Sequence, residues 1–117
     1  MAYLDGFVIP VPKDRLDDYK RMARTCEQIW KEYGAIGYVE TVGEDLPYGE
    51  LTSFPRAVQA EKDEVIVLSW VIYPNKATRD AANGKIPSDP RLKEMMENSP
   101  FNPKRMIFGG FEPFLGV

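Results

Sequence analysis

The sequence predicts an α+β domain in which a four-stranded antiparallel sheet carries its helices on one face. Two segments, residues 7–9 and 65–73, are apolar on both faces when drawn as strands, which is typical of the centre of a sheet. A long amphipathic helical pattern follows the first segment, and a broken helical pattern follows the second. Two weaker strand patterns complete the set, so the predicted order is strand, helix, strand, strand, broken helix, strand.

The first strand spans residues 3–11, and Pro10 and Pro12 end it because proline cannot donate to a central ladder. Residues 13–33 are predicted to form a helix that packs on the sheet by one apolar stripe. Gly34 is the expected left-handed stop of this helix. The stripe consists of Leu16, Tyr19, Met22, Ala23, Cys26, Ile29, Trp30 and Tyr33.

Residues 36–44 form a strand with mixed faces, which fits the edge of a sheet. On one face Glu40 lies in a row with Ile36, Tyr38 and Val42. Burial in an apolar row raises the pKa of a carboxyl group towards the range of a general base, so Glu40 is the candidate catalytic residue. The alternative is an edge-strand glutamate paired with an arginine or a lysine.

Residues 45–63 form a connection that is too long for a plain hairpin loop, and therefore an elaborated arm or a binding loop. Within it, residues 52–58 are compatible with a short turn of helix or with an extra strand segment. The sequence leaves both open.

Residues 65–73, VIVLSWVIY, form the strand around which the other elements are arranged. They are β-branched and aromatic, which favours a strand over a helix. A strand that has one face exposed to solvent alternates apolar and polar residues. Here one row holds Val65, Val67, Ser69, Val71 and Tyr73, and the other holds Ile66, Leu68, Trp70 and Ile72. Both faces must therefore be covered, and a chain of 117 residues with few helices is expected to cover only one of them.

The second helical layer is predicted in two pieces. Asn75 caps a helix over residues 76–83, which Gly84 stops. The pair Asp89-Pro90 then starts a second short helix over residues 91–98.

Residues 105–114 form the last strand. Gly109-Gly110 within it suggests a bulge or a close backbone approach, and Pro113 places the strand at an edge. The complete order matches the ferredoxin-like βαββαβ pattern, in which the first and third strands are central. Right-handed crossovers put both helical layers on one face and leave the other face apolar and bare. We expect a two-fold homodimer through this exposed sheet face; the alternative is that the arm at 45–63 folds back over it.

Composition excludes several function classes. The net charge of −3, with acids and bases interleaved, argues against a nucleic-acid binder, which needs a basic stripe. No apolar run approaches the roughly 20 residues that span a bilayer. The single cysteine, Cys26, indicates a reducing compartment, so we expect a single cytoplasmic domain over residues 1–117 that binds no membrane.

The absence of histidine is the most informative exclusion. It removes Ser-His-Asp and Cys-His catalysis, histidine-ligated haem and the usual zinc sites. Acid–base chemistry then falls to Asp, Glu, Tyr, Lys or Arg, and we expect neither a metal nor a cofactor.

Segments spread over nearly the whole chain resemble a known family. The chain is similar to the YbaA-like uncharacterised family of the dimeric α/β-barrel superfamily in YLDGFVIPVP (3–12), EYGA (32–35), DEVIVLSW (63–70), YP (73–74), RDAAN (79–83), DPR (89–91) and RMIFGGF (105–111). The resemblance implies the ferredoxin-like fold and a homodimer, and no established activity. The wider superfamily resembles cofactor-free monooxygenases, haem-handling enzymes and muconolactone-type isomerases, and its haem branch relies on a histidine that this chain lacks.

In such a barrel the ligand space lies between the sheet and the helices of one subunit. Large aromatic side chains are expected to line it, although they serve equally as core. The candidates for ligand binding are Trp30, Tyr33, Tyr38, Trp70 and Phe108.

Arginines supply a second set of candidates. Arg79 follows the central strand, and Arg56, Arg91 and Arg105 could join it in holding an anionic substrate by bidentate contacts. The alternative is that these arginines pair with Asp80, Asp89 and Glu64 to hold loops or the dimer. Cys26, on the helix stripe, is expected to be a small buried hydrophobe.

Two hypotheses of function follow. In the first, the homodimer binds a small apolar or anionic organic molecule between sheet and helices and acts on it without metal, by oxygenation or isomerisation on fold analogy. In the second, it is a non-enzymatic binding or accessory protein. An apolar cavity with a polar group converging on it favours the first, and a space filled by Trp30, Tyr38 and Trp70 favours the second.

Overall fold

The computed structural model describes residues 1–117 as one sheet covered by helices on one face. The elements are β1 Tyr3–Pro12, α1 Leu16–Glu32, β2 Gly37–Val42, α2 Phe54–Ala57, β3 Glu64–Tyr73, α3 Lys76–Lys85, α4 Pro90–Glu97 and β4 Ile107–Phe111. Short 3-10 turns occur at Lys13–Arg15, Ile86–Ser88 and Pro103–Arg105. None of the helices has the length and the apolar character that crossing a membrane requires.

The four strands are antiparallel and lie in the order β2-β3-β1-β4. The two strands that are apolar on both faces, β1 and β3, are therefore central, as the sequence predicts. Phe7 lies opposite Ser69 in the β1–β3 ladder, and Glu40 lies opposite Ser69 in the β2–β3 ladder. The ferredoxin-like α+β prediction is confirmed.

The core lies between the sheet and the helices, in two clusters. One cluster is built around Ile9, Val11 and Tyr19, and the other around Ile29, Val71 and Tyr73. Burying an aliphatic or aromatic side chain of this size contributes about 1.5–3 kcal/mol. The stripe of α1 therefore provides much of the contact that holds the helical layer on the sheet.

The observed element ends differ from the predicted ones where local hydrogen bonding changes. The last strand begins at Ile107, because Pro103–Arg105 form a 3-10 turn, and ends at Phe111, before Pro113. The third helix continues through Gly84 to Lys85. Its cap is as predicted, since the Asn75 side chain accepts from the Thr78 amide at 2.8 Å.

The two glycines of β4 do not form a bulge. The register with β1 runs without interruption, Asp5 opposite Gly110 and Gly6 opposite Gly109. Gly110 instead permits a close approach: a Cβ atom there would lie 2.5 Å from the Tyr3 hydroxyl oxygen and 2.8 Å from Arg79 Nη2. The bulge prediction is wrong, and the close approach is made by side chains of the same chain.

The face of the sheet opposite the helices is covered at one end only. Ile66 is buried there, and it lines a small pocket with Leu46 and Phe54 of the arm between β2 and β3. The helical alternative for this arm is correct, because α2 forms a four-residue helix capped by Ser53. Beyond the arm, Leu68 is 37% exposed, and further exposed apolar side chains on this face are Ile107 and Phe111.

Gly34 ends α1 in a backbone conformation that side chains rarely adopt. Its φ is +112°, and a Cβ atom would lie 2.6 Å from Thr78 Cγ2. We expect Gly34→Ala to lower the free energy of unfolding by about 1–3 kcal/mol, measured by urea denaturation. Gly84→Ala is the matched control, because Gly84 is helical with nothing within 4 Å, and it should stabilise by about 0.5–1 kcal/mol. Equal effects of the two changes would contradict the assigned strain.

Candidate functional site

A cavity of about 200 Å³ lies between the sheet and the helices. Thirteen of its 15 lining residues are hydrophobic, among them Met22, Met96 and Met106. The only other two are Glu40 and Ser69, which face each other across the β2–β3 ladder. The space is thus apolar with its polar groups at one wall, as is usual for small-molecule sites.

Glu40 is held by two tyrosine hydroxyls. Tyr19 of α1 donates to Oε1 at 2.8 Å, and Tyr38 donates to Oε2 at 2.9 Å. Tyr38 reaches it because residues two apart in a strand share a face, whereas Tyr19 is brought by the packing of α1. Glu40 forms no salt bridge, so the alternative of an arginine- or lysine-paired glutamate is wrong.

Burial raises the pKa of Glu40 above its ordinary value, and the two hydroxyl donors only partly oppose this shift. Burial also raises the pKa of Tyr19 and of Tyr38, and the nearby Glu40 charge adds to both shifts. The tyrosines therefore remain protonated donors. A carboxyl group with a raised pKa beside an apolar cavity has the properties of a general base.

Apart from Trp70, the predicted aromatic residues are divided among three places. Trp30 and Tyr38 line the cavity, with ring centroids 6.2 Å apart. Tyr33 instead donates to Asp89 Oδ2 at 2.9 Å and belongs to the helix-packing layer. Phe108 is 70% exposed, stacks on Phe7 and lines a separate pocket of about 330 Å³.

Trp70 does not line the space between sheet and helices. It pairs with Gly6 and Val39, which lie on the opposite face from Val71 and Ser69. The prediction that Trp70 contributes to the ligand space is therefore corrected. The strand alternation separates it from Tyr38, and no side-chain rotation brings it through the sheet.

The arginines do not converge on one point. Arg79 pairs with Asp80, Arg91 with Asp89 and Arg105 with Glu64, at 2.9, 2.9 and 2.6 Å. Arg56 donates to the carbonyl oxygens of Tyr48 and Gly49 in the arm. The four arginines therefore do not form one anion site, and three of them pair with the acids that the alternative names.

Arg79 also neutralises a buried acid. Its Nε lies 2.9 Å from Oδ1 of Asp5, whose side chain is 6% exposed, and both residues border the pocket that contains Phe108. We expect Arg79→Met to lower the free energy of unfolding by about 3 kcal/mol, because it leaves the Asp5 carboxylate buried without its cation. Adding Asp5→Asn should recover much of the loss, measured by chemical denaturation. If Arg79→Met does not lower the free energy of unfolding, the pair with Asp5 does not stabilise the fold, and Arg79 would be available to bind a ligand.

Cys26 lies on the cavity wall and is buried. Burial and the Glu40 charge raise the pKa of its thiol to about 12, so it stays protonated at neutral pH. It therefore behaves as the small hydrophobe that the helix stripe predicts. The chain also brings together no group of three or more Cys, Asp or Glu side chains that could hold a metal ion.

A second, more open space begins on the other side of Glu40. This groove, of about 430 Å³, runs between α1 and the edge strand β2. It shares four lining residues with the cavity: Tyr19, Ala23, Tyr38 and Glu40. Two cations of α1, Lys20 and Arg24, also line it. The hydrogen-bonded set of Glu40 and its two tyrosines thus lies at the boundary between groove and cavity.

Several residues of the site are not indicated as site residues by the sequence. The helical pattern places Tyr19 on the apolar stripe of the helix. Ser69 stands out only as the one small polar residue of the central strand. Phe101 lies outside the predicted elements, and Met106 lies at the start of the predicted last strand. Lys20 and Arg24 fall on the predicted solvent face of the helix. The usable signal is the polar Ser69 in an otherwise apolar strand.

The architecture defines a ferredoxin-like α+β protein, and solved structures that share this fold include the following two. One is a variant of SnoaB, a cofactor-independent oxygenase from Streptomyces nogalater, with a TM-score of 0.59 and 9% identity over 99% of this chain and 96% of that chain. The other is Rv0793 from Mycobacterium tuberculosis, with a TM-score of 0.57 and 11% identity over 100% and 99% of the two chains. At these identities the likeness establishes the fold alone.

The chain belongs to the family described as protein of unknown function (DUF1428), whose model matches residues 2–103. It is 50% identical over 115 residues to the uncharacterized protein YbaA of Escherichia coli strain K12, covering 98% of each chain. The same identity and coverage hold for YbaA of Shigella flexneri. The family resemblance that the sequence motifs carry is thereby confirmed.

Proposed function

We propose that this chain forms a homodimer that binds a small organic molecule in the cavity between sheet and helices, with Glu40 as the general base. The observation that carries the proposal is the apolar cavity of about 200 Å³ with Glu40 at its wall. Trp30 and Tyr38 are the proposed aromatic contacts in it. We do not propose Trp70 for this role, because it lies on the other face.

The size of the cavity limits the ligand. An engineered apolar cavity on the order of 150 Å³ accommodates benzene. A cavity of about 200 Å³ therefore suits a single substituted ring rather than a polycyclic molecule. The methionines on its wall are unbranched and adaptable, which allows some variation in ligand shape.

The chemistry available is proton transfer. Ionised Glu40 would take a proton from an acidic C–H or O–H group of the ligand and become neutral, which burial favours. The ligand anion formed would then isomerise by reprotonation at another atom, or react with molecular oxygen in a cofactor-independent oxygenation. SnoaB, which shares the fold, is a cofactor-independent oxygenase, so the second reaction class has a precedent on this architecture.

Binding without chemistry is the second candidate function. It is favoured by the fact that both Glu40 oxygens already accept hydrogen bonds from Tyr19 and Tyr38. A carboxylate satisfied in this way also serves to fix the strand to the helix. In this case the ligand would bind and leave unchanged.

The homodimer is proposed through the sheet face opposite the helices. Leu68, Ile107 and Phe111 are exposed there next to the half-buried Trp70. Contiguous apolar surface of this kind marks an interaction site, and self-association by a two-fold axis is the commonest solution. A cytoplasmic location stays a prediction from the single cysteine.

Native mass spectrometry of freshly purified protein tests the proposal. We expect the mass of a dimer together with a bound molecule of single-ring size. Release of that molecule under denaturing conditions identifies it, and incubation with oxygen then separates catalysis from binding by a change in its mass. A monomer without any bound molecule would contradict both parts of the proposal.

A further inference from the structure

We propose that the ligand is an amphipathic carboxylate whose ring occupies the cavity and whose anionic group is held in the groove by Lys20 and Arg24. The inference rests on the proposed function and adds the substrate class to it. It assigns a binding role to two side chains outside the predicted site.

The groove and the cavity adjoin at the residues that they share. Tyr19, Ala23, Tyr38 and Glu40 line both spaces. Ala23 has the smallest side chain of the four and would obstruct a ligand least. A ligand with its ring in the cavity would therefore extend its substituent past Ala23 into the groove.

The two cations at the groove are without partners inside the chain. Arg15 and Arg21 of the same helical segment both pair with Asp18, and Lys31 pairs with Glu27. Lys20 and Arg24 form no salt bridge, although the chain has a net charge of −3. Two free cations in one groove of an acidic protein favour an anionic ligand.

The spacing of the cations suits one carboxylate. Lys20 and Arg24 are four residues apart on α1, so their side chains lie on the same face of the helix. A guanidinium binds a carboxylate through two parallel N–H donors, and an ammonium adds a third contact. Both contacts are charge-assisted and stronger than neutral hydrogen bonds.

The acidic side chains of the groove do not cancel this attraction. Glu27 is paired with Lys31 at 3.0 Å. Both oxygens of Glu40 accept hydrogen bonds from tyrosines. The opposite wall is formed by Thr41 and Val42, which carry no charge. The ligand carboxylate would therefore lie on the helix side of the groove, away from Glu40.

Binding of phenylacetate and of its neutral amide, phenylacetamide, tests the inference by calorimetry or by the fluorescence of Trp30 and Trp70. The double variant Lys20→Gln/Arg24→Gln removes the two groove cations. The control Lys13→Gln/Lys93→Gln makes the same change of net charge at exposed positions that line neither space. Circular dichroism and thermal unfolding verify that both variants fold.

We expect the natural chain to bind phenylacetate more tightly than phenylacetamide, with an affinity that falls as salt is added. The groove variant should weaken phenylacetate binding about tenfold or more and leave phenylacetamide binding unchanged. The control variant should bind both probes as the natural chain does.

Three other outcomes would overturn the inference. If phenylacetamide and phenylacetate bind all three proteins equally, the anionic substrate class is wrong while the cavity function stands. If the groove variant loses both probes equally, the cations act through shape rather than charge. If neither probe binds any of the proteins, the inference and the proposed cavity function both fail.

Discussion

Leu68→Asp is expected to convert the proposed homodimer into a monomer. Leu68 is 37% exposed on the face opposite the helices and lies in the central strand β3. A carboxylate there would be desolvated at the middle of a two-fold interface and placed against its own copy. That combination costs several kcal/mol, and every 1.4 kcal/mol is tenfold in affinity, so the dissociation constant should rise about a thousandfold or more.

Analytical ultracentrifugation over a range of protein concentrations measures this change. Ile36→Asp is the matched control, because Ile36 is 64% exposed and precedes β2 on the helix side of the sheet. The control should remain dimeric, and far-UV circular dichroism should show that both variants keep their secondary structure. If the Leu68→Asp protein sediments as the same dimer, this face of the sheet is not the dimer interface.

Glu40→Gln is expected to remove a pH dependence of stability. In the natural chain the folded state raises the pKa of Glu40 above its ordinary value of 4.5. The folded state therefore binds more protons than the unfolded state as pH rises from about 4.5 through the raised pKa. Over that window the contribution of Glu40 to stability falls with pH, and above it the loss is complete.

The glutamine variant cannot ionise, so it should match the natural chain at acidic pH and exceed it at neutral pH. Denaturant unfolding at a series of pH values measures the difference between the two proteins. If Glu40 is also the base, conversion of the ligand should rise with pH through the same raised pKa and be absent in Glu40→Gln, whereas ligand binding persists.

Glu27→Gln is the control for this comparison. Glu27 lies in the same groove but pairs with Lys31 on the exposed side of α1. Its removal should leave the difference between acidic and neutral pH as it is in the natural chain. A natural chain whose stability rises across the window would show that the tyrosine donors outweigh burial, and the base role would then lose its physical basis.

The sheet could be predicted because its signals are local. Residues 65–73 are apolar on both faces of the strand, which requires a central position in the sheet. The order of helices and strands along the chain then matches the ferredoxin-like fold. Glu40 could be singled out in the same way, because it stands two residues from Tyr38 in an apolar row. Such patterns need only the period of the strand.

The errors arise where the pattern is symmetric or the contact is distant. Both rows of the central strand are apolar, so the sequence does not say which row faces the helices, and the prediction for Trp70 fell on the wrong side. The glycines of β4 do not bulge, and Gly110 instead leaves room for the Tyr3 and Arg79 side chains. The sequence does not show whether the arginines converge or pair with acids, because their contacts depend on how the loops fold.

By itself the sequence determined the strand order, the central position of β1 and β3 and the long helix, and it singled out Glu40 as a candidate. These follow from hydrophobic period, proline and glycine, which act within a few residues. Only the tertiary structure decided that Tyr19 reaches Glu40, that a cavity remains between sheet and helices, and that Lys20 and Arg24 border the groove beside it. Those features depend on how α1 lies on the sheet, since packing joins residues that no local period relates.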